Sequence, residues 1–329
     1  MKRIELDSYG VPEIVSHCVE VPDLPAPAAG EVLFEVIAFP INPADIGFCR
    51  GNYRIRPPLP ATPGAECLGR VTAIGSGVSN VAIGDLVINL QRENWAQMRL
   101  VKSTDVIKLP PDVDHRQATM LRINPPTAHL LLSDIVDLPQ GAWVIQNVAN
   151  SAVGRLVISL AKERGLRTIN VLRREDVFAE LTALGADICL LDGPDLSTRV
   201  KAAIGDAPLM LGIDAVSGEA TSRIAACVSD GGTVCTYGSM SGDNPQVTGS
   251  DLIFRGVTHA GFMLGRFLAK RSAAEIEKLY ADLCARITSG ALHAPVDHVF
   301  PIEDIATALV RAQTGGRHGK VLVSPNGLL

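Results

Sequence analysis

The stretch Gln146-Asn147-Val148-Ala149-Asn150-Ser151-Ala152-Val153-Gly154 constrains the fold more than any other part of this chain. It comes after a short β-like run, Ala142-Trp143-Val144-Ile145, and runs on into Arg155-Leu156-Val157-Ile158, so strand, turn and helix succeed one another. Val153, Leu156, Val157, Leu160 and Ala161 recur at helical spacing, and Gly165 stands where the helix should stop. The first N–H groups of such a helix have no partner inside it. Together with the positive end of the helix dipole they make a place for a phosphate or pyrophosphate in the turn. A second β-rich run, Thr168-Ile169-Asn170-Val171-Leu172, closes a βαβ unit of about 30 residues, the size of a dinucleotide-binding fold.

The glycine signature of that fold is incomplete. Ala149, Ser151 and Gly154 occupy the three glycine positions, and an ordinary α/β crossover without ligand would look the same. The residues just past the second strand add information. Enzymes that use NAD place an acidic residue there for the ribose hydroxyls, whereas this chain has Arg173-Arg174. Two guanidinium groups suit the 2′-phosphate of NADPH, although a solvated basic turn has the same composition. The expected cofactor is NADPH.

With 329 residues the chain exceeds one typical core. Residues 1–117 carry short β-like runs broken by proline and glycine: Val32–Ile37, Cys67–Val71 and Asp85–Ile88. Over 118–265 strand and helix alternate, with strands expected at 142–148, 168–173, 187–191, 209–214, 232–237 and 257–263. Ser272 and Glu275 form a capping box before a helix bearing Ile276, Leu279, Tyr280, Leu283 and Ile287 on one face. Residues 266–329 end in a β–α–β pattern that returns to complete the first domain. The expected fold class is therefore α/β: a mostly β domain beside a doubly wound parallel sheet. A net charge of −5 offers no field for nucleic acid, and no apolar run approaches the length that spans a bilayer. Seven scattered cysteines and an N-terminus without signal or transit character point to a cytoplasmic protein with free thiols.

Landmarks of a known family run nearly end to end. They include Ile41-Asn42-Pro43-Ala44-Asp45, Gly51-Asn52-Tyr53, Pro63-Gly64-Ala65-Glu66, Asn124-Pro125-Pro126-Thr127-Ala128, the 145–154 turn, Thr236-Tyr237-Gly238 and Gly319-Lys320-Val321. The chain resembles the zinc-independent medium-chain dehydrogenases/reductases, and among them the mitochondrial-type trans-2-enoyl-CoA (2-enoyl thioester) reductases. That resemblance implies a GroES-like catalytic domain, a Rossmann domain for NADPH, and a homodimer. It implies Tyr53 as the catalytic residue, because a phenol stays protonated at neutral pH and can donate a hydrogen bond or a proton. By position it implies cofactor contacts at Asn42, Asn124, Thr127, Asn150, Ser151, Ala152, Val153, Arg173, Arg174, Tyr237, Gly238, Ser239, Met240, Phe262, Met263, Leu264 and Lys320. Taken singly these have plainer readings: Thr127 as a helix N-cap after two prolines, Lys320 as a strand-edge charge.

No metal is expected. Zinc alcohol dehydrogenases of this superfamily carry a histidine ligand in Gly-His-Glu, and here that position is Ala65, with Cys49 and Cys67 nearby. Without a Lewis acid, hydride addition to an alkene activated by a carbonyl is far easier than oxidation of an alcohol. Other departures concern the substrate. Met263 and Phe267 stand where the family tends to have tryptophans, and the segment from Asp85 to Trp95 is about two residues shorter. Arg50, Arg54 and Arg56 flank Tyr53, and Arg122 replaces a glycine; these read as surface charge or as a clamp for an anion. The sequence leaves the small-molecule acceptor open among an acyl thioester, an enone and a quinone. A non-enzymatic NADPH-binding protein is the reading from another class.

Overall fold

In the computed structural model, which describes all 329 residues, the alternating apolar runs of the second half of the chain form a six-stranded, wholly parallel sheet. From edge to edge its strands are Ile188–Leu191, Arg167–Leu172, Trp143–Asn147, Leu209–Asp214, Thr233–Thr236 and Thr258–Gly261. All of Trp143–Asn147 is buried, and so is Arg167–Leu172 after its first residue, as strands covered on both faces must be. The helix Ala152–Glu163 turns Val153, Leu156, Val157, Leu160 and Ala161 inward. Strand order reverses between Trp143–Asn147 and Leu209–Asp214. Ligands of open α/β sheets bind outside the carboxyl ends of the strands at such a switch point. One expected strand is shortened: Phe262 and Met263 leave the sheet after Gly261 and lead into the short helix Leu264–Leu268.

The other unit is mostly β. Lys2–Leu6 and Ser16–Glu20 form an antiparallel pair, and a seven-stranded sheet holds Glu31–Pro40 at its centre. Glu31–Pro40 pairs with Leu68–Ile74, Met98–Lys102 and the late strand Lys320–Ser324, which in turn runs parallel to Val296–Pro301. Leu322 opposite Pro40 and Val323 opposite Phe39 mark where the end of the chain joins its beginning. Phe34, Phe39 and Trp95 centre the core, the last two stacked 5.5 Å apart, with Ile305, Ala308 and Leu309 of the helix Ile305–Gln313 packed on it.

The chain divides into Met1–Ile123 with Glu277–Leu329, and Asn124–Ile276, so both boundaries lie later than the expected 117/118 and 265/266. The reason is local bonding. Ala118 N donates to Asp114 O, and Ile123 N to the Glu66 carboxylate, which ties 118–123 to the β unit. Arg271, by contrast, pairs with Asp134 at 2.6 Å, and Phe267 rests on Phe262, which holds 266–271 to the parallel sheet. The helix Ala273–Thr288 starts at the Ser272–Glu275 capping box and buries Leu279, Tyr280, Leu283 and Ile287. No helix is long and apolar enough to cross a membrane.

Candidate active site

In the parallel-sheet unit the expected cofactor residues between Asn150 and Leu264 follow the carboxyl ends of the strands Trp143–Asn147, Arg167–Leu172, Thr233–Thr236 and Thr258–Gly261. Ser151 caps the helix Ala152–Glu163, its hydroxyl accepting from Gly154 N at 3.1 Å, so Ala152 and Val153 form the first turn of that helix. The turn is tight. A Cβ on Gly154 would lie 2.6 Å from the Ala149 carbonyl oxygen, and Val148 holds φ 49°, a left-handed conformation that a β-branched residue rarely accepts. Asn150 lends its carbonyl to Arg155 Nε at 3.3 Å. Burial pushes the pKa of the Tyr237 hydroxyl up, against the opposing influence of Ser151. Gly238 accepts from Ser217 Oγ at 3.1 Å, Met240 N donates to Ala215 O at 3.1 Å, and Ser239 and Met240 are exposed. Phe262 N donates to Thr236 O at 2.9 Å; Met263 beyond it is exposed and Leu264 half-buried. Arg173 is exposed, whereas Arg174 pairs with Asp176 at 3.1 Å. Asn124 and Thr127 are buried on the helix Asn124–Ser133. Thr127 sits inside that helix and caps nothing, while the Asn124 amide nitrogen is buried without a partner.

Two residues that bind this region together were not anticipated from the sequence. Asp214, fully buried, accepts from Asn147 Nδ2 (2.6 Å), Val216 N (2.9 Å), Ser217 N (3.1 Å), Thr221 Oγ1 (2.7 Å) and Thr236 Oγ1 (3.1 Å). Asn147 returns its carbonyl oxygen to Ala215 N at 2.8 Å. One carboxylate thus joins the strands on both sides of the switch point to the loops 215–218 and 236–241. An acid closing the apolar run Leu209–Ile213 was the available signal.

In the β unit Lys320 is buried, and its ammonium donates to Asn42 Oδ1, so it is not a strand-edge charge. Asn42 Nδ2 donates to Glu66 at 2.8 Å, and Glu66 also accepts from Ile123 N at 2.9 Å. Asp45 accepts from Asn42 N and Ala65 N, both at 2.9 Å. Burial pushes the Glu66 carboxyl up to about 7 against the pull of Lys320, and pushes Lys320 down to about 8. Tyr53 is half-buried, packed against the core of this unit, with its backbone N–H on Gly47 O at 3.1 Å. The Arg92 guanidinium covers its ring at 5.0 Å from the centroid.

The arginines separate. Arg122 is neither surface charge nor a free clamp: its guanidinium donates to the carbonyls of Ala65 and Leu90. Arg50, itself exposed, donates to Gln313 at 2.7 Å, and Arg54 and Arg56 are exposed on the other side of Tyr53 in sequence. The Cys49 thiol lies 3.8 Å from Ser16 Oγ, the Cys67 thiol donates to Asn94 at 3.2 Å, and burial pushes both up to about 12. Ala65 has no donor atom where a histidine ligand would stand, and no three His, Cys, Asp or Glu side chains gather so that they could hold a metal ion.

Residues 28–111 match the family Alcohol dehydrogenase GroES-like domain, and residues 152–284 the family Zinc-binding dehydrogenase. The chain is 36% identical over 294 residues to the mitochondrial enoyl-acyl-carrier-protein reductase of Rattus norvegicus, covering 87% of this chain and 79% of that protein. Among solved structures, a Bacillus thuringiensis protein assigned as an NADPH:quinone reductase superposes with a TM-score of 0.91 at 26% identity, over 98% of each chain. The complex of Etr1p with NADP and crotonyl-CoA superposes with a TM-score of 0.87 at 26% identity, over 98% of this chain and 99% of that one.

Proposed function

We propose that this chain, which belongs to the enoyl-reductase branch of the medium-chain dehydrogenase/reductase family, uses NADPH to reduce the double bond of a trans-2-enoyl thioester. The observation that carries the reading is Tyr53. Its ring is held between the core and a guanidinium, and its hydroxyl is engaged by no group of the chain. Such a phenol can give a hydrogen bond to the acceptor's carbonyl oxygen or a proton to its α-carbon.

The parallel-sheet unit fits NADPH on its own residues. The Ser151-capped helix offers unpaired N–H groups to a pyrophosphate, and Gly154 leaves the backbone room that a Cβ would take. Arg173 is free to meet a 2′-phosphate, and the buried, partnerless Asn124 amide can donate to a ligand. NADPH, once bound, supplies the hydride and is left as NADP+. The chain's part is to position it, to exclude water and to handle the charge and proton on the acceptor.

The structural likeness to an NADPH:quinone reductase keeps a second reading, reduction of a quinone or an enone. A single panel separates them: NADPH oxidation with crotonyl-CoA, longer enoyl-CoAs, an enone and a quinone at one NADPH concentration. We expect crotonyl-CoA or a longer homologue to give the highest kcat/KM. A quinone turned over while every enoyl-CoA is inert would sink the thioester reading. The seven cysteines, all free, suit a reducing compartment such as the cytoplasm, and the exposed sheet edge Thr258–Gly261 suits a homodimer.

A further inference from the structure

No sequence motif marks Arg92, yet its surroundings are more constrained than those of any other surface arginine beside Tyr53. Three consecutive carbonyls of its loop are bonded by side chains: Leu90 O by Arg122, Gln91 O by Asn94 Nδ2 at 2.8 Å, and Arg92 O by Arg99 Nη2 at 3.1 Å. Gln91 N is held by Asn89 Oδ1 at 3.0 Å. Glu93 takes φ 67°, a left-handed conformation costing a non-glycine residue about 1–2 kcal/mol. The loop is therefore tied down and strained, and it presents Arg92 in one place.

There the guanidinium lies 5.0 Å from the Tyr53 ring centroid and 5.6 Å from that of Phe48. None of its N–H groups is bonded within the chain, and its Nη2 is buried. The neighbouring acid, Asp45, already spends its carboxylate on Asn42 N and Ala65 N. Leaving a buried donor unmet costs about 1–3 kcal/mol, and more for a charged group. Folded chains keep few such groups, and a fixed, unquenched donor next to a reacting centre is what oxyanion stabilisation needs.

We infer that Arg92 is a second oxyanion donor of this active site, set beside Tyr53 to take the negative charge that gathers on the acceptor's carbonyl oxygen. The inference rests on the reduction proposed above. As hydride adds to the β-carbon, the alkene pair moves to join the α-carbon to the carbonyl carbon, and the carbonyl pair moves onto oxygen as an enolate. Arg92 holds that charge. When a proton from Tyr53 or water reaches the α-carbon, the enolate C=C pair bonds it, the oxygen pair re-forms the carbonyl, and the negative charge passes to the phenolate or hydroxide left behind, which solvent reprotonates.

Arg92→Met and Arg92→Lys, assayed beside the unaltered protein, test this. With crotonyl-CoA we expect Arg92→Met to lower kcat about 100-fold, the size of losing one oxyanion donor. KM should stay within about threefold and NADPH affinity unchanged, with Arg92→Lys recovering part of the loss. A readout without turnover is the ultraviolet enolate band of acetoacetyl-CoA, a diketide that ionises when its oxygens meet a cation. The band should grow on binding to the unaltered protein and fail to grow on binding to Arg92→Met. Equal kcat, a loss confined to KM, or the same enolate band in both proteins overturns the inference. If the unaltered protein ignores crotonyl-CoA but reduces an enone or quinone, the thioester reading falls alone. The Arg92→Met ratio is then taken on that acceptor, where parity overturns the inference and a drop confined to kcat sustains it.

Discussion

Tyr53 and Glu66 show what single side chains contribute. Removing the phenol oxygen leaves the ring, its packing and its contact with Arg92 in place, so Tyr53→Phe isolates the hydroxyl. We expect kcat with crotonyl-CoA to fall at least about tenfold, toward the range typical of losing a general acid, with NADPH affinity unchanged. Equal turnover would remove the hydroxyl from the chemistry. Glu66 makes a pH-dependent claim. Its carboxyl, at 4.5 in water, is pushed up to about 7 by burial, so between those values the native state holds a proton that the unfolded chain has released. Stability contributed by this group therefore falls as pH rises from about 4.5 to about 7, by up to about 3 kcal/mol. Denaturant titrations of the unaltered protein and Glu66→Gln at pH 5 and 7.5 should show a fall in the former that the latter lacks; parallel changes would refute it. The resemblance singled out Tyr53 through its Gly51-Asn52-Tyr53 context. The roles of Arg92 and Arg122 were not legible, since a linear sequence does not reveal whether a guanidinium meets carbonyls, rings or water.

Elements were legible where their cause is local. The spacing from Val153 to Ala161 and the Ser272–Glu275 box place two helices because side chains three and four apart share a face. The tie between Asn147 and Asp214 escaped because its partners lie 67 residues apart and meet only when the sheet assembles. The turn between strand and helix carries two tests. Gly154→Ala must push its methyl into the Ala149 backbone, which cannot yield without moving the turn. We expect a loss of NADPH affinity of at least tenfold, read by fluorescence titration; full affinity would show that the turn does not touch the nucleotide. Arg173 and Arg174 were expected to act together, but Arg174 is already paired with Asp176. Arg173→Ala should therefore narrow the preference for NADPH over NADH more than Arg174→Ala does, and an unchanged preference in both would mean that the phosphate is met elsewhere.

At the scale of the molecule, alternation of strand and helix announced the parallel sheet, and the β–α–β tail announced a return to the first sheet. The residues at which one unit gives way to the other were not readable, because Arg122 and Ile123 declare their unit only through bonds to Ala65, Leu90 and Glu66. Assembly is the remaining question at this scale. Thr258–Gly261 is an edge strand with most of its residues exposed, and the helix Gly249–Ile253 before it leaves Ile253 74% and Phe254 83% exposed. Natural sheets seldom leave an edge beside large apolar side chains open to water. A second copy related by a twofold axis would pair the two edges and cover both apolar groups with the same surface. The expected solution mass by light scattering is therefore about twice the 34.8 kDa chain at micromolar concentration. Burying one such side chain contributes about 1.5–3 kcal/mol, and symmetry counts each twice. Ile253→Asp with Phe254→Asp should thus raise the dissociation constant by several orders of magnitude and yield monomers that keep the circular dichroism of the parent. Monomers from the unaltered protein, or dimers that survive both aspartates, would show that this edge is not where copies meet.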